Sequence, residues 1–124
     1  MDRTVYIIQE TIGRDYSSAL KYGRIEFILG SEDRSGILPA RSLAFLRSKL
    51  RNFTKEDYIV WAGGDPMSPV LAGIALGELA FHEINYLRWE RIKNPEGLPR
   101  MVGYYIPGKL ILRHIAPNKE EVFR

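Results

Sequence analysis

The run Tyr58-Ile59-Val60-Trp61-Ala62, followed at once by Gly63-Gly64, leaves few folds open. The run is apolar without alternation, so both sides of the segment must be covered. A strand of that kind belongs inside a parallel sheet with helices on its faces. The glycine pair lets the backbone turn sharply or take positive φ. Asp65-Pro66 and Ser68-Pro69 then each place a good helix cap before a proline suited to the first helical position. Ser68 is the better cap, because a helix starting at Pro66 would carry Pro69 one turn in. An apolar helix is expected from Val70 to Phe81, with Glu78 its only charge. Gly73 and Gly77 share one face of it and imply close backbone approach, either to the sheet or to a second copy of the chain.

The rest of the chain supplies partners for that unit. Thr4 to Glu10 is rich in β-branched and aromatic residues and reads as a first strand. Arg24 to Leu29 reads as a second, and Gly30 to Gly36 as a polar, mobile loop. Pro39 opens a helix to about Phe53, with Leu43, Leu46, Leu50 and Phe53 as its buried stripe. Ile84 to Trp89 is a further strand, with Ile84, Tyr86 and Arg88 on one face and Asn85, Leu87 and Trp89 on the other. Strands alternating with helices between residues 24 and 89 predict successive crossovers and a parallel sheet. Asn94 to Pro99 is a loop. Met101 to Ile106 and Leu110 to Ile115 are strand-like, and Ile106-Pro107-Gly108-Lys109 between them fits a type II turn. The expected fold is a single small three-layer Rossmann-like α/β domain over residues 1–116, closing in an antiparallel hairpin, with residues 117–124 a frayed tail.

Composition narrows the function classes. The 124 residues suit one domain with its own core, and the absence of cysteine excludes disulfides and thiolate chemistry. The charged start Met1-Asp2-Arg3 is no signal pattern, and no apolar run approaches the length of about 20 residues a membrane helix needs. A cytoplasmic protein without membrane contact is therefore expected. Charge is uneven: residues 1–84 hold 10 Lys+Arg and 11 Asp+Glu, and residues 85–124 hold 8 and 4. A basic C-terminal third keeps single-stranded nucleic acid open as a partner.

The motifs select no reaction. In an open parallel sheet a ligand sits beyond the carboxyl ends of the strands, which gathers Gly63, Gly64, Asp65 and Ser68 as a candidate site for a nucleotide or other anion. The dinucleotide fingerprint and the P-loop are both absent, and Asp65 would repel a phosphate at that helix start. His82 and His114 have no partner at metal-ligand spacing, so no metal, cofactor or catalytic residue is assigned. The stronger lead is the company of arginines with aromatics: Arg14, Tyr16, Arg88, Trp89, Arg91 and Tyr104 are candidates for a partner-binding surface. Tyr22 and Tyr105 belong to the same set of exposed rings.

Several pieces together resemble a group of small bacteriophage proteins. These are the strand Thr4 to Glu10, Arg14-Asp15-Tyr16, Ala19 with Tyr22-Gly23, Leu46-Arg47, Asp57-Tyr58, Gly64-Asp65-Pro66 and Leu87-Arg88-Trp89-Glu90-Arg91. The resemblance spans residues 4–91, and beyond Arg91 the chain carries a longer ending. It implies a phage accessory protein without an assigned reaction. Such a protein acts in the host cytoplasm by binding a host or phage macromolecule, in host takeover or in association with replication or transcription. It leans away from enzymes, favours a protein partner and leaves open a homodimer through the Gly73/Gly77 face.

Overall fold

The computed structural model describes residues 2–61, 63–92 and 103–111. Five strands form one sheet: β1 (Thr4–Gln9), β2 (Arg24–Leu29), β3 (Tyr58–Val60), β4 (Glu83–Arg91) and β5 (Gly103–Ile111). Their order is β2-β1-β3-β4-β5; all neighbours are parallel except β4 and β5, which are antiparallel. Two helices, α1 (Pro39–Leu50) and α2 (Met67–Gly77), and a 3-10 helix, Ser17–Tyr22, complete the described elements.

The sheet is covered on both faces, and the strands show it residue by residue. Tyr6, Ile8, Ile59 and Ile84 pack with Leu46, Leu50, Leu71 and Leu76 of the two helices. Val5, Ile7, Val60 and Leu87 pack on the other face with Ala19 of the 3-10 helix and with Tyr105. Ile59 and its neighbour Val60 thus feed different cores, which is why an unalternating apolar run is required there. All six residues of β1 are buried. Each fully buried Ile or Val contributes about 1.5–3 kcal/mol.

Three expectations are corrected. α2 begins at Met67 and not at Val70, and Ser68 does not cap it. Pro69 is tolerated because it falls in the first turn, where a backbone N–H has no helical acceptor. α2 also buries Ser68, Leu71, Ala72, Ala75 and Leu76, which turns Gly73 and Gly77 to solvent; a Cβ placed at either would meet nothing within 4 Å. They therefore make no close approach to the sheet.

The third correction concerns the ending. Pro107-Gly108 is no turn: β5 runs straight through it and pairs with β4 from Glu83↔Ile111 to Arg91↔Gly103. β5 is an edge strand, where a missing N–H is accommodated. Gly108 is needed because the ring of Tyr86, directly across, occupies the place of a side chain. The antiparallel pair is thus β4 with β5. Of the expected strand Leu110 to Ile115, Leu110 and Ile111 belong to β5, and the rest of it and the tail 117–124 fall outside the described residues.

Candidate functional site

The chain passes from β1 out to the edge strand β2 and returns across β1 to β3, so the connections diverge beyond the carboxyl ends of β1 and β3. Ligands of open α/β sheets bind at such a point. Here it is filled. Gln9, the last residue of β1, is 0% exposed. Its Nε2 donates to the carbonyls of Gly30 at 2.9 Å and Asp33 at 2.8 Å. Its Oε1 accepts from the Asp65 N–H at 2.9 Å and the Ser68 hydroxyl at 2.7 Å. Both donors and both lone pairs of the amide are used. Ser68 Oγ lies 2.7 Å from Ser35 Oγ, and both serines are buried. One side chain therefore ties the end of β1 to the Gly30–Gly36 loop and to the turn after β3.

The glycine pair is explained by the same amide. Gly64 has φ +64° and Gly63 φ +125°, and both need glycine. A methyl at Gly64 would overlap the Gln9 amide, and one at Gly63 would lie 2.6 Å from Thr11 Oγ1. Asp65 completes the turn: its carboxylate accepts from Gly36 N and from Met67 N, each at 2.9 Å. Those two backbone bonds, Gly36 first, hold the Asp65 carboxyl below its ordinary range. Asp65, Met67 and Ser68 N–H groups are all engaged within the chain. The backbone donors that an anion would use at this helix start are therefore occupied. Outside them lies a recess of about 360 Å³ lined by Asp33, Arg34, Gly64 and Asp65.

The arginine-aromatic candidates divide. Arg14, Tyr16 and Trp89 meet on the 3-10 face: Tyr16 stacks on Tyr105 at 6.0 Å and meets Phe27 edge-on at 5.1 Å. Trp89 meets Tyr105 at 5.0 Å, and the Arg14 guanidinium lies 4.9 Å from the Trp89 ring. This row of rings covers a face that carries no α-helix among the described residues. Tyr105 is no surface ring; it is fully buried. Burial pushes its phenol up to about 12, and the adjacent Arg14 opposes part of that rise. The Tyr105 hydroxyl and Arg14 Nε are buried without a hydrogen bond among the described residues.

Arg88 and Tyr104 lie elsewhere, on the opposite sheet face by strand alternation, with Arg88 bound to Glu90 at 2.6 Å. Arg91 is exposed at the end of β4. Of the basic C-terminal third, the described residues hold Arg88, Arg91 and Lys109 against Glu90.

The outer surface of the helical layer is more apolar than its sequence pattern implied. Phe45 of α1 and Met67, Val70 and Ile74 of α2 are 40–53% exposed. Arg47 of α1 grips Glu78 with two bonds of 2.9 and 2.7 Å, and this exposed pair raises the pKa of Arg47 and lowers that of Glu78. No helix among the described residues is long and apolar enough to cross a membrane.

Sequence reasoning missed Gln9. The signal was an amide ending an otherwise apolar strand, a residue type that enters a core only with its hydrogen bonds met.

No curated protein and no solved structure matches the chain. A family model described as "Phage Pam3 gp32-like protein" matches residues 3–95, close to the span over which the sequence resembles phage proteins. Three quarters of the chain fall within that match, and the chain belongs to the phage Pam3 gp32-like protein family.

Proposed function

We infer that the chain is a non-enzymatic phage accessory protein that acts by binding a macromolecule, and that the outer surface of its helical layer is the binding face. The observation that carries this reading is the tie that the Gln9 amide makes across the β1/β3 crevice, which engages the Asp65 N–H and the Ser68 hydroxyl that a ligand there would use. The strand order supports a Rossmann-like reading of the sheet, with its second layer reduced to a 3-10 helix and aromatic rings. Solvent-facing Phe45, Met67, Val70 and Ile74 form the kind of apolar surface that marks a protein interface. A nucleotide at Gly63–Ser68 has less support, because the Asp65, Met67 and Ser68 N–H donors are taken and Asp65 adds a negative charge.

The test is capture from a bacterial lysate, with and without nuclease, by the wild-type chain and by Phe45→Glu and Ile74→Glu. The reading expects a nuclease-resistant protein partner that both substitutions release. Retention that survives both substitutions, or no retained partner, would refute it.

A homodimer is the second reading, favoured by Gly73 and Gly77 standing open beside Val70 and Ile74. With no side chain on the two glycines, a second α2 approaches closely enough to bury both apolar neighbours. Sedimentation would then show a dimer that Gly73→Leu or Ile74→Glu converts to monomer. A wild-type monomer at all concentrations would remove this reading.

A further inference from the structure

Two adjoining concavities lie at the opposite end of the sheet from the filled crevice, where β1, β2 and β3 begin. One, of about 570 Å³, is lined by Arg3, Lys21, Tyr22 and Arg24 together with Asp2. The other, of about 400 Å³, is lined by Arg3, Glu56, Tyr58, Asn85 and Lys109. Arg3 borders both. The rings of Tyr22 and Tyr58, one in each wall, stand 5.3 Å apart at 56°. The two concavities share Arg3 and lie side by side along the ends of the five strands, a span of about 19 Å at a spacing of roughly 4.8 Å per strand, and we read them as one groove.

Four cations follow the groove in the order Lys21, Arg24, Arg3 and Lys109. Lys21 Nζ lies 5.3 Å from the Tyr22 ring centre, and Arg24 meets the Thr4 hydroxyl at 3.5 Å. Arg3 is 4.0 Å from Glu56 and Lys109 3.5 Å from Glu83, and these two cations are about half exposed. Such pairs are worth little in water, so a phosphate can replace the carboxylate. The buried carboxylate at this end, Asp57, is spent on Thr4 N, Thr54 N and Thr54 Oγ1.

We propose that this groove binds single-stranded nucleic acid, its phosphates on Lys21, Arg24, Arg3 and Lys109 and its bases against Tyr22 and Tyr58. Tyr22 and Tyr58 are half-buried, with part of each ring open to the groove. Cations interleaved with aromatic rings are the chemistry of a single-strand platform. An acidic peptide would use the cations and leave the rings idle; a duplex keeps its bases stacked and cannot use the rings either. This surface is separate from the helical face proposed above, and the experiment leaves that face unaltered.

The test is fluorescence anisotropy with the full chain and an oligothymidylate of about 20 nucleotides. The groove expects log K against log salt to fall with a slope of roughly −2 to −3, at about −0.7 per neutralised phosphate. Lys21→Ala with Arg24→Ala should reduce that slope by about 1.4. Tyr22→Leu should weaken binding roughly tenfold with the slope unchanged. Lys21→Glu, a single change at an exposed position of the 3-10 helix, keeps the test open if the double variant fails to fold. Equal affinity for duplex, indifference to the Lys21 and Arg24 substitutions, or no binding would each overturn the proposal. Binding to polyglutamate but not to oligothymidylate would overturn it in favour of an acidic protein.

Discussion

Ser68 donates its hydroxyl to Gln9 Oε1 at 2.7 Å across 59 residues of sequence. That bond and the three others on the same amide join the end of β1, the loop before α1 and the start of α2. Replacing Gln9 with Leu keeps the volume and strands four polar groups. A buried group left unpaired costs about 1–3 kcal/mol, and two of these keep another partner, so the expected loss is about 3 kcal/mol or more by denaturant unfolding. Gln9→Glu should be pH-sensitive, because an ionised carboxylate would face the Gly30 and Asp33 carbonyls. Burial raises its folded pKa, so its stability should fall as pH climbs above the unfolded carboxyl range.

Gly64 and Gln9 should be energetically coupled. Gly64→Ala forces a side chain to φ +64° and into the Gln9 amide. A cost of about 2 kcal/mol or more is expected in the wild type, and less in a Gln9→Ala background where the obstruction is gone. A double-mutant cycle measures the difference, and additive effects would mean that the two residues do not touch.

Ala80 follows α2 with φ +56°, a left-handed conformation that costs a residue with Cβ. Ala80→Gly is expected to stabilise the chain by about 1 kcal/mol, or roughly 4 °C in Tm. Calorimetry checks it.

Tyr105 has a buried hydroxyl without a hydrogen bond among the described residues. Removing it with Tyr105→Phe keeps the ring contacts to Tyr16 and Trp89 and should raise stability by about 1 kcal/mol. A loss would show that Arg14 or a bound water satisfies it.

Asp65 has a lowered pKa in the fold because Gly36 N and Met67 N hydrogen-bond its charged form. Its contribution is complete above the unfolded carboxyl pKa and is lost as pH falls through the folded value. The acid limb of a stability-versus-pH curve should therefore be shallower in Asp65→Ala than in the wild type.

The middle of the sheet was legible because its chemistry is local. Ile59 and Val60 had to be covered on both sides, and they are. The glycine turn was legible as a turn, but its reason was not, since Gln9 lies over 50 residues away and looks like any strand end. α2 is apolar all round, so periodicity could not say that Leu71, Ala72, Ala75 and Leu76 face inward while Gly73 and Gly77 face out. Pro107-Gly108 carried a turn's local signature, and only its place on an edge strand opposite Tyr86 makes it extended. The grouping of Arg3, Lys21, Arg24 and Lys109 follows from strand order, which local patterns do not contain.

The central claim is that Gln9 fills the crevice where a ligand of such a sheet would sit. The most direct measurement is NMR of the Gln9 side-chain amide together with the Gly63, Gly64 and Asp65 backbone, during titration with nucleotides. The expected result is a slowly exchanging Gln9 amide and unmoved resonances at all four positions. A fast-exchanging amide, or saturable shifts at Gly64 and Asp65 on adding nucleotide, would contradict it.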